Sequence, residues 1–496
     1  MAHRYRRQSG RHPPNPTAAG TSTSPPPTSP PPTSLPPTSP PPRPAQRLAA
    51  PGEPSGRSSA GTAFAASVPA DVLQASVAAA GAVPVAVPVP GGPVGRVATA
   101  PTAEALAAPG EAATTIGRAF RPDVEGLRAV AVALVVLYHA HVPGVSGGFV
   151  GVDVFFVISG FLITGLLVRE GERRGSVSIL GFYARRARRI LPASAVVVLF
   201  TLFASYRWLG FLTGNAVAQG AAWTSVFMAN IHFALVGTSY FGSQQAPSPL
   251  LHMWSLGVEE QFYVVWPGLF LLVSLVAARR VNRRAALAAT LGAIVVASLA
   301  WSVVETSTSA TWAYFSPLTR AWELAAGGLL AVSAPAISRF PRRAAVAMGL
   351  GGAALIAFST VRLSPLTLYP GSAAVYPVAG AALLIAAGTA AAGLPAERVL
   401  ALRPMQWLGA RSYSLYLWHW PLLIIATEYA GHALSVTDNL GWAAVAVLAA
   451  ALSFRLVERP IRRSPLLARR ATLSVAMGIG IVGLCMAIAQ WQLHTH

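Results

Sequence analysis

Apolar residues along this chain come in long unbroken runs rather than amphipathic stripes, and the pattern begins at Phe120. A helix needs about 20 apolar residues to cross a bilayer. Runs of that order fall at 127–145, 149–168, 190–210, 254–277, 285–304, 318–335, 344–361, 373–393, 413–431, 440–457 and 471–491. One further segment, 217–236, is apolar but interrupted by Gln219, Thr224, Ser225, Asn230 and His232. The pattern predicts an all-α fold, a polytopic integral membrane bundle of about 10–11 transmembrane helices.

Arginine placement decides how 217–236 is read, because positively charged loops stay on the cytoplasmic side. If that segment crosses fully, the clusters at 279–284, 339–343, 398–411 and 455–470, which hold 16 arginines, fall outside. If it dips in and returns, all 16 join the clusters at 169–174 and 185–189 inside, and only Arg207, Arg320 and Arg362 face out. The second arrangement predicts eleven crossings of the cytoplasmic (inner) membrane. The N-terminus is then cytoplasmic, the C-terminus extracytoplasmic, and 217–236 a re-entrant or interfacial piece.

Residues 1–118 have a different character. A Pro/Thr/Ser tract from Ser24 to Pro44 favours extended conformations, and Pro84, Pro88, Pro90 and Pro93 break the Ala/Val-rich stretch that follows. This segment reads as a disordered cytoplasmic tail, and no cleavable signal peptide pattern is seen. The membrane domain is expected over 119–463, with 464–496 forming the final transmembrane helix and a short C-terminus.

Composition narrows the class further. Of the 496 residues only 11% are charged and 53% are hydrophobic, with mean hydropathy +0.52. A soluble domain carries about 25% charged residues. A cytosolic enzyme and a nucleic-acid binder are excluded, and the lipid bilayer is the obligatory partner. All 37 basic residues are arginine, a usage that with the alanine abundance fits a GC-rich bacterial coding sequence. The single cysteine, Cys485, excludes internal disulfides and cysteine-based metal sites, and no metal is expected.

Ionisable residues inside spans are costly and usually face the bundle interior or a wet cavity. Arg128 and His139, eleven apart, fall within about 20° of one helix face and about 16 Å apart in rise. A snorkelling arginine plus a hydrogen-bonded histidine would account for the pair as well as a site would. Arg185, Arg186, Arg188 and Arg189 precede a span, where they read either as a topogenic cluster or as a clamp for phosphate oxygens. In LLHMWSLGVEEQFY, His252 and Glu259 share a face if the helix starts at His252, and Tyr263 and Trp266 continue that stripe. Arg320 and Glu323 are spaced as an internal ion pair. His419 lies in an aromatic run, SYSLYLWHWP, and Asp153 follows glycines that permit close backbone approach.

Seven segments in order resemble the membrane-bound acyltransferase 3 family: FRPDVEGLRAVAV with its YH, GVDVFFVISGFLI, FYARRARRILP, HMWSLGVEEQFY, RAWELAAG, SYSLYLWHWP and LVERP. The resemblance covers about residues 120–463. It implies a membrane O-acyltransferase that moves an acyl group, usually acetyl, from cytoplasmic acyl-CoA to a hydroxyl of a carbohydrate or other glycosylated acceptor. Acyl-CoA is then a donor substrate, and no bound cofactor is implied. The family's Arg-x10-His pair maps onto Arg128 and His139. Its Arg-x-x-Arg motif maps onto Arg186 and Arg189, and its Trp-Ser-Leu-x-x-Glu motif onto Trp254, Ser255, Leu256 and Glu259. Many relatives append an SGNH hydrolase-like domain; this chain ends at His496 and is read as lacking one.

Residues and resemblance together assign Arg186 and Arg189 to the donor's phosphates. Arg128 steers the CoA or polarises the thioester carbonyl, and His139 acts as general base. Glu259 is expected to orient His139 or stabilise its imidazolium, with Asp153, His252, Trp254, Ser255, Arg320, Glu323 and His419 supporting. A covalent acyl-histidine relay is the competing mechanism. The acceptor reads as a cell-envelope polysaccharide, with a macrolide-like metabolite as the close alternative. A proton-coupled transporter and an inactive scaffold are the readings from other classes. The assignment requires that the imidazole be reachable both from the arginine-rich mouth and by an alcohol.

Overall fold

The structure is a computed structural model, and it describes residues 120–241, 246–277 and 282–495. The tail expected over 1–118 lies outside these residues. Among the described residues there are seventeen α-helices and no strand. They are α1 (Pro122–His139), α2 (Gly151–Arg174), α3 (Ile179–Ala204), α4 (Phe211–Ser225), α5 (Ala229–Leu235), α6 (Met253–Ala277), α7 (Arg283–Thr308), α8 (Ala310–Phe315), α9 (Pro317–Ile337), α10 (Arg342–Arg362), α11 (Val375–Ala390), α12 (Pro395–Leu400), α13 (Arg403–Ala430), α14 (Val436–Ser453), α15 (Arg459–Arg463), α16 (Pro465–Arg469) and α17 (Ala471–Thr495).

Eight of the long helices are apolar enough by themselves to cross a membrane. The other three long helices expected to cross, α1, α9 and α13, fall short of that measure. They are the ones that carry Arg128 and His139, Arg320 and Glu323, and His419. Polar groups that cannot face lipid must turn inward, so these helices pack at the centre: α1 against α2 and α13, and α9 against α2. Close approach of α2 and α9 depends on Gly160 and Gly327. A Cβ on Gly160 would fall 1.8 Å from the Leu324 carbonyl oxygen, and one on Gly327 1.9 Å from that of Val157. Small residues at such crossings let helix backbones touch, which in a lipid solvent supplies much of the association energy.

The segment read as re-entrant does turn back. After a π-helical turn, Ser205–Leu209, Gly210 adopts a positive φ, and α4 folds down beside α3 and α17. Its end meets the middles of those helices, where Thr224 and Ser225 share a cavity with Ser194, Val198, Ile481 and Cys485. Phe227, in the left-handed region at φ 58°, makes the turn, and its carbonyl accepts from Gln261 of α6 at 2.8 Å. By Ala246 the chain is back beside Leu209 and Thr213, where it left α3.

Contacts also gather the arginine-bearing helix ends. Arg185 at the start of α3 pairs with Glu170 near the end of α2, and Arg284 at the start of α7 pairs with Glu172. Arg188 reaches Ser474 at the start of α17, and Gln406 at the start of α13 donates to the Pro122 carbonyl at the start of α1. Arg342 at the start of α10 donates to the carbonyls of Ala392 and Gly393 just after α11. Arg207 and Arg362 stand at the opposite ends of their segments.

Candidate active site

A cavity and a neighbouring histidine cluster hold many of the polar residues of the bundle core. The cavity lies between α1, α2, α3, α6 and α13. Arg128, Arg186 and Arg189 line it, together with Ser255, Glu259 and Tyr263. The lining follows from helical spacing. Arg186 and Arg189 are one turn apart on α3, while Ser255, Glu259 and Tyr263 recur every four residues on α6 and form one stripe.

The four arginines that precede the third span divide their work. Arg185 pairs with Glu170 at 2.8 Å, and Arg188 donates to the Leu467 carbonyl and to Ser474 Oγ at 2.7 and 2.8 Å. These two fasten helices together. Arg186 instead stacks on the Tyr263 ring, 4.0 Å from its centroid, and Arg189 opens into the same cavity. Neither makes a hydrogen bond to protein among the described residues, so their N–H donors remain available to a ligand. Arg128 is tethered by Glu125 at 3.3 Å.

Glu259 does not touch His139, contrary to the expectation that it orients the imidazole. Its carboxylate accepts from Ser159 Oγ at 2.6 Å and from the Tyr263 hydroxyl, which fixes it in the cavity wall. The adjacent Glu260 faces Arg186 and Arg189 electrostatically.

The histidine cluster consists of His139, partly exposed, with His419 and His252 fully buried. His139 Nδ1 lies 3.0 Å from His419 Nε2, and His139 Nε2 lies 3.0 Å from the Tyr240 hydroxyl. The rings of His139 and His419 are stacked at 5.2 Å, and the Trp420 ring stands edge-on to His139 at 4.5 Å. Tyr416 lines the arginine cavity with Ser255, whose Oγ lies 2.6 Å from its hydroxyl; that hydroxyl donates to the His252 carbonyl at 2.9 Å, and its ring lies 5.4 Å from that of His419. It links the cavity wall to the histidine cluster. Arg128 lines the cavity and His139 does not.

Asp153, Arg320 and Glu323 form a separate unit. The Arg320 guanidinium donates to Asp153 at 2.9 Å and to Glu323 at 2.8 Å, with all three side chains no more than 1% exposed. The rings of Trp254, Tyr314 and Tyr369 surround the guanidinium at 4.9–5.4 Å. Trp254 therefore points away from the cavity that its neighbours Ser255 and Leu256 line. This trio joins α2 to α9 and holds the wall on which the site is built. Tyr240, Tyr416, Ser159 and Tyr413, which lines the arginine cavity and donates to the Ile190 carbonyl at 2.9 Å, are not among the residues the sequence points to. Their neighbours are far away along the chain, and no spacing marks them.

Residues 121–458 match a family model described as an acyltransferase domain. The chain belongs to this acyltransferase family. It is 33% identical over 372 residues to the peptidoglycan O-acetyltransferase OatA of Listeria monocytogenes, covering 71% of this chain and 57% of that protein. The putative peptidoglycan O-acetyltransferase YrhL of Bacillus subtilis is 33% identical over 361 residues, covering 69% and 55%. The O-acetyltransferase OatA of Staphylococcus aureus is 32% identical over 359 residues, covering 69% and 57%. The chain therefore spans little more than half the length of these acyltransferases. No solved structure matches it.

Proposed function

We propose that the chain transfers an acyl group, acetyl in the first instance, from cytoplasmic acyl-CoA to a hydroxyl of a cell-envelope glycan. The observation that carries this reading is the pair Arg186 and Arg189, whose guanidinium donors are unspent and open on one intramembrane cavity a single tyrosine away from His139. Acyl-CoA is a polyanion, and forked guanidinium donors suit its phosphate oxygens. Positive-inside retention makes the arginine-bearing end of the bundle cytoplasmic, so the donor enters where CoA is found. The names of the relatives favour a glycan as acceptor.

In this reading Arg186 and Arg189 hold phosphates while Arg128, at the cavity's α1 wall, polarises the thioester carbonyl. Tyr416 turns aside, releasing Ser255 and the His252 carbonyl, and the thioester reaches His139. His139 then takes the proton of the attacking hydroxyl as its oxygen bonds the acyl carbon. The carbon–sulfur bond breaks, and the thiolate leaves as CoA thiol with the proton returned by the imidazolium. Glu259, locked by Ser159 and Tyr263, shapes the donor cavity and takes no part in proton transfer.

The test uses full-length protein reconstituted in vesicles, with labelled acetyl-CoA and peptidoglycan oligosaccharides. The protein is expected to release CoA and label the glycan, and His139→Ala is expected to abolish both while acyl-CoA binding persists. More than a few per cent of residual transfer in that variant would reject the base assignment. Labelling of other glycans but not of peptidoglycan fragments would reject the acceptor class.

A further inference from the structure

The hydrogen bonds around His419 settle which nitrogen of His139 is free to act. Pro421 lacks the N–H that would bond the Leu417 carbonyl four residues earlier. That carbonyl instead accepts from His252 Nε2 at 3.1 Å. In the preceding turn of α13, His419 Nδ1 lies 2.7 Å from the Tyr416 carbonyl oxygen and 3.2 Å from that of Leu415. Two carbonyl oxygens offer only lone pairs, so His419 Nδ1 must carry the hydrogen. The neutral ring then has its lone pair on Nε2, 3.0 Å from His139 Nδ1. A contact at that distance needs one hydrogen, and only His139 Nδ1 can supply it. His139 is left with an unprotonated Nε2, which accepts from the Tyr240 hydroxyl at 3.0 Å.

We infer that His419 is a positioning residue: anchored by the carbonyls of Tyr416 and Leu415, it locks His139 in the Nδ1–H tautomer and directs the basic Nε2 toward Tyr240. The inference rests on the general-base reading of His139 and adds its direction. The acceptor hydroxyl approaches Nε2 from the face occupied by Tyr240, and the acyl carbon must come within bonding reach of its oxygen on that same side of the ring. When Nε2 takes the acceptor's proton, the imidazolium keeps its Nδ1–H bond to the lone pair of neutral His419. That pairing delocalises the new charge without a carboxylate, the role expected of Glu259 from the sequence. The proline two residues after His419 frees only the Leu417 carbonyl, which His252 binds; nothing in the sequence marks the contact of His419 with His139.

The test reads the tautomer directly. Protein labelled with 15N-histidine in nanodiscs is compared with His139→Gln to assign the His139 ring, and its two-bond nitrogen–proton pattern distinguishes Nδ1–H from Nε2–H. The wild type is expected to show Nδ1–H. His419→Leu is expected to shift His139 toward Nε2–H and lower kcat about 100-fold or more, with the KM for acyl-CoA unchanged. His419→Gln, whose amide can donate to the Tyr416 carbonyl and accept from His139, is expected to restore the tautomer and most of kcat. Nε2–H in the wild type, or His419→Leu with tautomer and kcat both intact, would overturn the inference. So would equal loss in the Leu and Gln variants. Because the tautomer is read without turnover, an inactive wild type would sink the transferase reading alone.

Discussion

Removing the two cavity arginines isolates what the donor's phosphates contribute. A hydrogen bond to a charged group is worth about 1.5–3 kcal/mol net, and every 1.4 kcal/mol is about tenfold in affinity. Among the described residues Arg186 and Arg189 give no hydrogen bond to protein, so the hydrogen-bond loss falls on the ligand, beside the loss of the Tyr263 stacking and of the charges facing Glu260. Arg186→Ala and Arg189→Ala should each raise the KM for acetyl-CoA about 10- to 150-fold with kcat nearly unchanged. One turn apart on α3, they are close enough to share a phosphate, and the double variant should then fall short of the product of the two effects. The assay is initial-rate CoA release by reconstituted protein, run in parallel with acetyl-pantetheine, a thioester without the nucleotide phosphates. Both variants should match the wild type with that donor. Arg188→Ala serves as the control: it loses the Leu467 and Ser474 contacts and should lower stability without selecting between donors. An unchanged KM for acetyl-CoA, or an equal loss with both thioesters, would refute the clamp.

Three further outcomes follow from the framework around the site. Arg320→Met leaves Asp153 and Glu323 buried without their counter-charge and should destabilise the protein by about 3–5 kcal/mol, read as a lower Tm in detergent. Adding Asp153→Asn and Glu323→Gln should recover much of that loss; no recovery would mean the charge is not the cause. Gly160→Leu drives a Cβ into the Leu324 carbonyl and should abolish accumulation of folded protein, whereas Gly292→Ala, with nothing within 4 Å, should be neutral by size-exclusion profile. Reporter fusions after Pro249 and after Arg284 should report extracytoplasmic and cytoplasmic locations respectively, and a cytoplasmic signal at the first would overturn the re-entrant assignment of α4 and α5.

Much of this protein was already legible in one dimension. Lipid acts on every residue of a spanning helix, so hydrophobic runs report the membrane helices locally, and the placement of the arginine clusters leads to reading 217–236 as a segment that turns back, as the chain through α4 and α5 does. The choice of Arg186 and Arg189 over Arg185 and Arg188 rests on the family resemblance, since Arg185 and Arg189 lie only about 40° apart around the helix, and packing turns Arg186 and Arg189 into the cavity. Only packing decided who meets whom. Glu259 and His139 looked like partners because both were ionisable and deep. The bundle instead rotates Glu259 toward Ser159 and Tyr263, and it brings His419, 280 positions away, against the imidazole. Asp153 joined Arg320 for the same reason, since a charge buried without water must find its counter-charge wherever the chain returns. Tyr416 and Tyr240 carry no mark in the sequence, because a tyrosine's role as a link or as a hydrogen-bond donor is set by its neighbours in space.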